Sequence, residues 1–266
     1  MSLKMNSKKH NIQILGAYGA KSEKGGSTSF YLNDKNVIDA GNILKGLEDK
    51  NIHLETIWLT HSHLDHIVDI AYILDNYYEK RLKPLSIYGL PATIKALKKH
   101  FFNHVIWPDF TVIPLVNGKG MSIEFKTLTL QNRYELDTGV SLRAFKTDHT
   151  VPSCGYIVST QYESILISSD TYSLDTVIEE VNSDDTIKTI VIECSFPSKF
   201  FQLAKDSKHL TPKLLFKKLE PLEGRGIRLY LNHIKPAYES VLEEEIKNMK
   251  GEWDTTILKD GAMVEF

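Results

Sequence analysis

The segment His61-Ser-His63-Leu-Asp65-His66 constrains this chain more than any other, because it places three imidazoles and one carboxylate within six residues. It directly follows the apolar run Ile57–Thr60. Zinc prefers imidazole nitrogen together with some carboxylate oxygen. In a turn that leaves a strand, side chains i and i+2 can point at one ion while i+4 and i+5 face another. A lone histidine is more often a satisfied core residue than a ligand, but four liganding residues at this spacing indicate a metal site.

The overall composition excludes several classes of protein. The formal net charge of the 266 residues is −2, so the chain lacks the broad positive charge that recruits nucleic acid. No apolar stretch approaches the roughly 20 residues that span a bilayer, so no membrane partner is expected. Two cysteines, Cys154 and Cys194, are too few for a disulfide framework and suit a reducing compartment. We therefore expect a cytoplasmic protein, although the polar start Met1–Met5 would also suit a chain from which a leader peptide was removed.

Strand-like and helix-like segments alternate without a linker long enough to separate two domains, so residues 1–266 are predicted to form a single domain. The predicted strands are Ile12–Leu15, Ser29–Leu32, Val37–Asp39, Ile57–Thr60, Leu85–Tyr88, Ile123–Thr127, Leu142–Lys146, Tyr156–Ser159, Ile165–Ser168, Thr189–Glu193, Arg228–Asn232 and Thr256–Leu258. Two amphipathic helices are predicted over His66–Glu79 and Pro236–Met249. Their apolar stripes are Ile67, Ile70, Ala71, Leu74 and Tyr78 in the first, and Ala237, Val241, Leu242, Ile246 and Met249 in the second. Pro212 and Pro236 stand where a helix could begin.

Three further candidate ligands end later apolar runs. His149 follows the strand Leu142–Lys146, Asp170 closes Leu166–Ser169, and His233 closes Leu229–Asn232. Taken singly, such an aspartate is most often a turn or N-cap residue, and such a histidine is most often polar surface. Together with the first motif they supply seven ligands. That number suits two zinc ions that share one carboxylate and one hydroxide.

The arrangement resembles the metallo-β-lactamase fold superfamily over nearly the whole chain. The resemblance rests on the ligand motifs, on the opening segments Leu15–Gly19, Gly25–Phe30 and Val37–Gly41, and on the closing segment Ile257–Gly261. It implies a four-layer αββα sandwich of the α/β class, with the site at the open edge between two sheets. It assigns His61, His63 and His149 to one metal and Asp65, His66 and His233 to the other, with Asp170 bridging. Asp39 would lie under the metals as a supporting residue, although a turn residue there is an equally good interpretation.

Motifs in the second half of the chain resemble class II cyclic-nucleotide phosphodiesterases. They are Ser153-Cys-Gly155, Ile192-Glu193-Cys-Ser-Phe-Pro197, Leu203-Ala204, Ser207-Lys-His209-Leu-Thr-Pro212 and His233-Ile-Lys-Pro236. Two-zinc β-lactamases usually have a cysteine where this chain has Asp170, and an aspartate bridge suits hydrolysis of phosphodiesters or thioesters. One departure is Asp69, which stands where the family commonly has Gly or Ser. That carboxylate could alter the surroundings of the metals or point to solvent.

The resemblance implies a two-metal phosphodiesterase that opens a 3′,5′-cyclic nucleotide, cAMP or cGMP, to the 5′-nucleotide through a metal-bridging hydroxide. His209 would be the general acid for the leaving 3′ oxygen, with Glu193 orienting its ring. Asp65 is expected to be a catalytic residue in addition to a metal ligand. As an alternative, Glu193 could be a surface residue at a strand end and His209 a polar residue at a helix start. The two divalent ions are expected to be Zn²⁺, although Mn²⁺ or Fe²⁺ would also suit these ligands.

Other functions of the same fold stay open at this point. A tRNase Z-like RNA 3′-endonuclease shares the ligand set, but it would need a basic arm or patch to hold tRNA, and nucleic acid is an unlikely partner for this chain. A thioester or lactone hydrolase would not need Glu193 and His209, and a non-catalytic scaffold would have lost ligands. A nucleobase could stack on Trp107 or Phe110, although core packing is the better explanation of those rings. Lys235 could contact a phosphate, although it could also be simply exposed. Family likeness also suggests a homodimer.

Overall fold

The strands of the computed structural model, which describes residues 10–137 and 139–266, form two sheets of seven strands each. In spatial order, sheet 1 contains β14 (Met263–Glu265), β1 (Asn11–Gly16), β2 (Ser29–Asn33), β3 (Asn36–Ile38), β4 (Thr56–Trp58), β5 (Leu85–Gly89) and β6 (Ile123–Thr127). Sheet 2 contains β13 (Asp254–Ile257), β12 (Arg228–Asn232), β11 (Ile187–Glu193), β10 (Ser164–Ile167), β9 (Ser153–Ser159), β8 (Val140–Thr147) and β7 (Arg133–Asp137). The segment Met1–Met5, which the sequence analysis considered in relation to a leader peptide, lies outside the described residues.

Helices connect the strands. The α-helices are α1 (Ile43–Leu47), α2 (Leu64–Asn76), α3 (Pro91–Ala96), α4 (Asp175–Ser183), α5 (Phe201–Ser207), α6 (Pro212–Leu219) and α7 (Glu239–Met249). Short 3-10 turns cover Glu48–His53, Tyr78–Lys80, Ser198–Phe200, Glu220–Leu222 and Pro236–Tyr238, and a π-helical turn covers Leu97–Phe101. Among residues 10–137 and 139–266, none of the helices combines the length and the apolar character needed to cross a membrane.

Two hydrophobic clusters define the layers. One cluster packs the outer face of sheet 1 against α2 and α3, through residues such as Ile57, Ile87, Ile70, Leu74 and Ile94. The other fills the space between the sheets and continues to the helices α4, α6 and α7. Helices therefore cover the outer face of each sheet, and the predicted four-layer αββα sandwich is confirmed.

Two strands of the structure were missing from the strand prediction. The edge strand β7 alternates between exposed and half-buried residues and buries none of them, so it carries no hydrophobic signal. β14 has only three residues, of which only Val264 is buried. The predicted strands that do form differ by one to three residues at some ends. For example, Asp39 and Thr60 fall just beyond β3 and β4 rather than inside them.

The two predicted amphipathic helices exist with shifted bounds. α2 begins at Leu64 and ends at Asn76, so Tyr78 lies in the following 3-10 turn. In the second predicted helix, the chain forms a 3-10 turn first and α7 follows, with Leu242 and Ile246 buried. The assignment of Val241 and Met249 to the buried stripe was wrong, because these side chains are 41% and 39% exposed. The predicted helix starts at Pro212 and Pro236 are confirmed, the latter as the 3-10 turn.

Parallel strands bring the candidate ligands to one edge of the sandwich. β3, β4, β5 and β6 are parallel to one another in sheet 1, and β10, β11, β12 and β13 are parallel in sheet 2. His61 follows the C-terminal end of β4, while Asp170, Glu193 and His233 follow or end β10, β11 and β12. The C-terminal ends of parallel strands form the edge at which α/β sheets present binding residues. The two sheets therefore contribute ligands to one common site.

Tyr156 of β9 joins the two sheets beside this edge. Its fully buried hydroxyl donates a 2.7 Å hydrogen bond to the carbonyl of Leu59, which follows β4. We expect Tyr156→Phe to lower the free energy of unfolding by about 1–3 kcal/mol, because the buried carbonyl loses its partner. Urea unfolding measures this change, and an unchanged m-value would show that the native fold persists. The matched variant Tyr162→Phe, at a half-exposed ring, should have no measurable effect, and equal stabilities of the two variants would contradict the prediction.

Candidate metal centre

The seven predicted ligands meet at the shared edge of the two sheets. Their side chains form two groups in which all the potential ligand atoms lie within 4.8 Å of one another. The first group is His61, His63, His149 and Asp170, and the second is Asp65, His66 and His233. The grouping follows the division between two metals that the family resemblance implied. The chain therefore contains His and Asp groups that are suited to binding divalent metal ions.

Asp170 lies between the two groups. Its Oδ2 atom is 3.7 Å from His61 Nε2 and 3.8 Å from His149 Nε2 on one side. On the other side it is 3.4 Å from His66 Nε2 and 3.3 Å from His233 Nε2. One carboxylate oxygen thus contacts imidazole nitrogens of both groups. This is the position that a bridging carboxylate requires.

Unpartnered nitrogens show that these residues fit metal ions. The Nε2 atoms of His61, His66 and His233 are buried and have no hydrogen-bond partner among the described residues. A buried polar atom without a partner carries a free-energy cost, so native proteins rarely leave several of them together. Three such nitrogens around one carboxylate are explained when their lone pairs coordinate cations. The buried carboxylate of Asp170 and the half-buried carboxylate of Asp65 would supply the compensating negative charge.

Asp39 and Thr60 support the ligands from below. Asp39 is fully buried and accepts hydrogen bonds from the Thr60 backbone N–H at 2.8 Å and the Thr60 hydroxyl at 2.8 Å. Its Oδ2 atom is 2.7 Å from His66 Nδ1, and the Thr60 hydroxyl oxygen is 3.0 Å from His61 Nδ1. These contacts hold both imidazoles with Nε2 toward Asp170. The structure thus places Asp39 as the supporting residue that the family resemblance implied.

A backbone carbonyl supports His149 in a similar way. His149 Nδ1 is 3.1 Å from the carbonyl oxygen of Lys208, and its Nε2 is 3.1 Å from His63 Nδ1. Two imidazole nitrogens this close suit coordination of one ion. Lys208 has a left-handed backbone (φ 54°), which turns its carbonyl toward His149. Lys208 was not recognised from the sequence, because a carbonyl contact leaves no side-chain signal.

The electrostatics of the site also suit cations. Burial lowers the pKa of His149 to about 4 and that of His61 well below its usual value, so both rings are neutral and can offer lone pairs. Burial acts in the same direction on His66, but Asp170 and Asp39 outweigh it and raise the pKa of His66 well above its usual value. The buried carboxylates therefore favour positive charge at this position.

Residues with a left-handed backbone conformation follow three strands and set the direction of the chain at the site. Asp39, Ser169 and His233 follow β3, β10 and β12 with φ values of 56°, 56° and 59°. Residues other than glycine rarely adopt this left-handed region, and such outliers concentrate at functional sites. The turn at Ser169 immediately precedes Asp170. The backbone strain therefore lies at the positions where the chain must redirect its ligands.

Glu193 and His209 form a buried pair beside the second group. Glu193 Oε1 is 2.8 Å from His209 Nδ1, and His209 Nε2 has no hydrogen-bond partner among the described residues. Burial opposes charge on both, but Glu193 raises the pKa of His209 and His209 in turn lowers that of Glu193. The alternative interpretation of Glu193 as a surface residue at a strand end is wrong, since Glu193 is fully buried, and His209, shortly before the start of α6, is only 7% exposed. His209 also lies with Asp170 and His233 in a third group of potential ligands.

Ser195 was missed by the sequence analysis. Its hydroxyl is 2.6 Å from Glu193 Oε2 and 2.9 Å from His233 Nδ1, so it connects the buried pair with a ligand. The residue belongs to the segment Glu193-Cys-Ser-Phe-Pro197 that was singled out as a motif, and this membership was the available signal. The sequence could not show which atoms the hydroxyl contacts, because His233 lies 38 positions away and only the fold brings it beside Ser195 and Glu193.

Several expectations about neighbouring residues are corrected. Asp69 points neither at the metals nor to solvent, because it is buried and accepts from Lys21 Nζ and the Leu44 backbone N–H. Lys235 is half-buried rather than exposed, and its Nζ donates to the Gly19 carbonyl. Phe110 is 5% exposed and belongs to the cluster behind sheet 1, which supports core packing over base stacking.

Trp107 also packs against that cluster. Its ring contacts the ring of Tyr72 edge-on, with 5.6 Å between the centroids, and the side chain is only partly buried. Its indole Nε1 is buried and has no hydrogen-bond partner among the described residues. The packing of Trp107 therefore also favours a structural role over base stacking.

Gly41 allows the chain to pass behind Asp65. A Cβ atom at this position would lie 2.1 Å from the Asp65 carbonyl oxygen and 2.7 Å from Ser27 Oγ. We expect Gly41→Ala to displace the Asp65 backbone, lower the free energy of unfolding by about 1–3 kcal/mol and weaken metal binding. Urea unfolding and metal titration measure the two effects. Gly89→Ala is the matched control, because its Cβ would meet only side-chain atoms of Thr93 and Ile94, at the longer distances of 3.2–3.3 Å. A Gly41 variant with normal metal affinity would contradict the prediction.

Comparison with known proteins agrees with this geometry. The model of the family described as cAMP phosphodiesterases class-II matches residues 22–243. A probable 3′,5′-cyclic-nucleotide phosphodiesterase from Yersinia pestis is 25% identical over 213 residues, which are 70% of this chain. The aligned part spans only 58% of the length of that relative.

Solved structures show the same fold. Yeast PDE1 superposes with a TM-score of 0.79 at 22% identity, over 97% of this chain and 99% of that chain. The metallo-β-lactamase fold protein YhfI from Bacillus subtilis superposes with a TM-score of 0.75 at 18% identity, over 97% of this chain and 100% of that chain. The prediction of a metallo-β-lactamase fold is therefore confirmed.

Proposed function

Because this chain belongs to the class-II cAMP phosphodiesterases, we propose that it hydrolyses 3′,5′-cyclic nucleotides, cAMP or cGMP, to 5′-nucleotides. The proposed cofactors are two divalent metal ions, with Zn²⁺ preferred for a site of five imidazoles and two carboxylates. Under this proposal His61, His63 and His149 hold one ion, Asp65, His66 and His233 hold the other, and Asp170 bridges them. His209, Glu193 and Asp65 are the proposed catalytic residues.

The observation that carries the proposal is the buried Glu193–His209 pair directly beside two metal-suited groups. The pair lies against both groups, because the His209 ring centroid is 5.1 Å from those of His149 and His233. A hydrolase that expels an alkoxide needs a proton donor at this place. A simple metal-storage or scaffold protein would not need one.

The residues of the chain can perform the proton transfer that the reaction requires. When bound, the two ions would supply positive charge for the phosphate and a water of lowered pKa. Glu193 Oε1 holds the Nδ1–H of His209 and stabilises the charged ring. The partner-free Nε2 of His209 can then deliver its proton to the leaving 3′ oxygen. Asp65 Oδ2 lies 3.3 Å from His233 Nε2, so the carboxylate and the ring can face the same ion.

Location and assembly form the remaining part of the proposal. The cysteines Cys154 and Cys194 are both free and buried, which supports a reducing compartment such as the cytoplasm. We also infer a homodimer and no role for nucleic acid as a partner, the latter from the net charge of −2. Light scattering on the purified protein measures the assembly state.

A matched set of substrates tests the proposed function. Cyclic AMP, cyclic GMP, a pre-tRNA and a thioester are offered to the protein, and the metal content is determined on the same sample. Chelator-sensitive release of a 5′-nucleotide that is lost in His63→Ala and kept in His53→Ala, a variant at an exposed histidine, is the expected result. Intact cyclic nucleotides with two metal ions bound would overturn the substrate assignment and favour a tRNase Z-like nuclease or a thioester or lactone hydrolase.

A further inference from the structure

The hydroxyl of Ser195 lies at the centre of a fully buried hydrogen-bond network. Its Oγ atom is 2.6 Å from Glu193 Oε2, 2.9 Å from His233 Nδ1 and 3.3 Å from His209 Nδ1. Ser195 itself has no exposed surface. A hydroxyl has only one proton to donate, so the directions of these hydrogen bonds can be assigned by counting protons.

Glu193 determines where the hydroxyl proton goes. Its carboxylate is ionised beside His209 and accepts only. The 2.6 Å separation between Ser195 Oγ and Glu193 Oε2 is typical of a hydroxyl that donates to a charged carboxylate. The single proton of Ser195 therefore points to Glu193. Ser195 Oγ is also 3.2 Å from the backbone carbonyl oxygen of His233, which could only accept, but the shorter contact with the charged carboxylate takes the proton. Towards the imidazole nitrogens Ser195 can then act only as an acceptor.

The tautomer of His233 follows from this direction. Since Ser195 Oγ is an acceptor for His233, the 2.9 Å hydrogen bond requires the proton on His233 Nδ1. The lone pair of the ring is then on Nε2. That atom is buried, has no hydrogen-bond partner among the described residues, and is 3.3 Å from both Asp65 Oδ2 and Asp170 Oδ2. His233 is thereby held in the form that can coordinate a metal ion.

The same connection occurs on the other side of the site. Asp39 Oδ2 accepts from the Thr60 hydroxyl at 2.8 Å, so Thr60 Oγ1 can only accept from His61 Nδ1 at 3.0 Å. We call each of these chains, from a buried carboxylate through a hydroxyl to a ligand imidazole, a hydroxyl relay. One relay runs Glu193–Ser195–His233, and the other runs Asp39–Thr60–His61. Each ends on a histidine of a different ligand group.

We propose that Ser195 is a positioning residue that prepares His233 for one metal ion, as Thr60 prepares His61 for the other. Glu193 then serves two histidines with separate oxygens, since Oε1 contacts His209 and Oε2 contacts Ser195. Loss of the Ser195 hydroxyl should therefore weaken metal binding at one site, whereas loss of the His209 ring should affect turnover. The inference rests on the two-metal part of the proposed function and not on the identity of the substrate.

Stepwise titration of the metal-free protein with Zn²⁺, in competition with a chromophoric chelator, tests the inference without a substrate. We expect Ser195→Ala to weaken one of the two binding steps by about 10–100-fold, as is typical for partners of ligand histidines, and to leave the other unchanged. Thr60→Val keeps the side-chain volume without the hydroxyl and should likewise weaken one step. The double variant should weaken both steps. Ser164→Ala removes a buried hydroxyl at the start of β10 and should change neither step.

Every outcome decides for or against the relay. Unchanged binding in Ser195→Ala, equal weakening of both steps by that variant alone, or one step weakened twice in the double variant would overturn it. If Ser195→Ala fails to fold, Ser195→Thr keeps the hydroxyl and should retain both steps, and a weakened step in it would count against the inference. Wild-type protein that binds two ions but leaves cyclic nucleotides intact would overturn the proposed substrate while the relay stands. Wild-type protein that binds fewer than two ions would overturn both.

Discussion

Substitution of Asp170 by asparagine is expected to remove at least one bound metal ion and to lower cyclic-nucleotide turnover by at least about 10³-fold. Within residues 10–137 and 139–266, Asp170 is the one carboxylate that contacts imidazole nitrogens of both ligand groups, at 3.3–3.8 Å. Metal ions contribute several kcal/mol of transition-state stabilisation, and each 1.36 kcal/mol corresponds to a factor of ten in rate. Asparagine has nearly the same shape but no charge, so the loss would come from electrostatics rather than packing.

Metal content by atomic spectroscopy and turnover of cyclic AMP measure the two effects on one preparation. Asp185→Asn is the matched control, because it makes the same chemical change at an exposed carboxylate that pairs only with Arg225 at the surface. The control should keep wild-type metal content and rate. An Asp170→Asn protein that retains two tightly bound ions would contradict the bridging role, even if its activity were low.

Replacement of His209 by alanine should lower kcat by about 10²–10⁴-fold while both metal ions stay bound. The ring is held by Glu193 at 2.8 Å, and the same carboxylate raises the pKa of His209 against the effect of burial. The variant removes the proton donor and leaves all seven proposed ligands in place. Glu193→Gln should also lower kcat, because a neutral amide stabilises the charged ring less well.

Metal content again separates the possible roles of His209. Loss of one ion from His209→Ala would show that the third group, formed by His209 with Asp170 and His233, is a ligand set and that the general-acid assignment is wrong. Full activity with two ions bound would exclude any role in the reaction. A substrate with a good leaving group, such as a nitrophenyl phosphodiester, should restore much of the lost rate, since its leaving group needs no proton.

The first ligand motif could be predicted because its chemistry is local. His61, His63, Asp65 and His66 lie within six consecutive positions, so their proximity does not depend on the fold. His149, Asp170 and His233 could be added because each ends an apolar run, and strand ends of parallel sheets meet at one edge. Edge strands and helix ends were predicted less well. β7 buries no residue and therefore leaves no hydrophobic pattern.

The contacts that hold the ligands were not predictable in the same way. Asp39, Ser169 and His233 adopt left-handed backbone conformations that local sequence does not favour and that only the surrounding packing enforces. The carbonyl of Lys208 orients His149 from 59 positions away in the chain. From the sequence, Asp69 could have altered the surroundings of the metals or pointed to solvent. In the structure it pairs with Lys21 in a neighbouring loop.

The amino-acid sequence by itself indicated a metal site and the residues that could take part, because residue type, spacing and hydrophobic periodicity are written along the chain, and its resemblance to a known family implied the αββα layering. Only the tertiary structure decided which partners hold each ring. The physical reason is that each set of hydrogen bonds joins the ends of two neighbouring strands, β3 with β4 and β11 with β12, which only the pairing within each sheet brings together. Sheet 1 supplies the Asp39–Thr60–His61 relay and sheet 2 the Glu193–Ser195–His233 relay. A different pairing of these strands would change which nitrogen of each histidine is free to bind a metal ion.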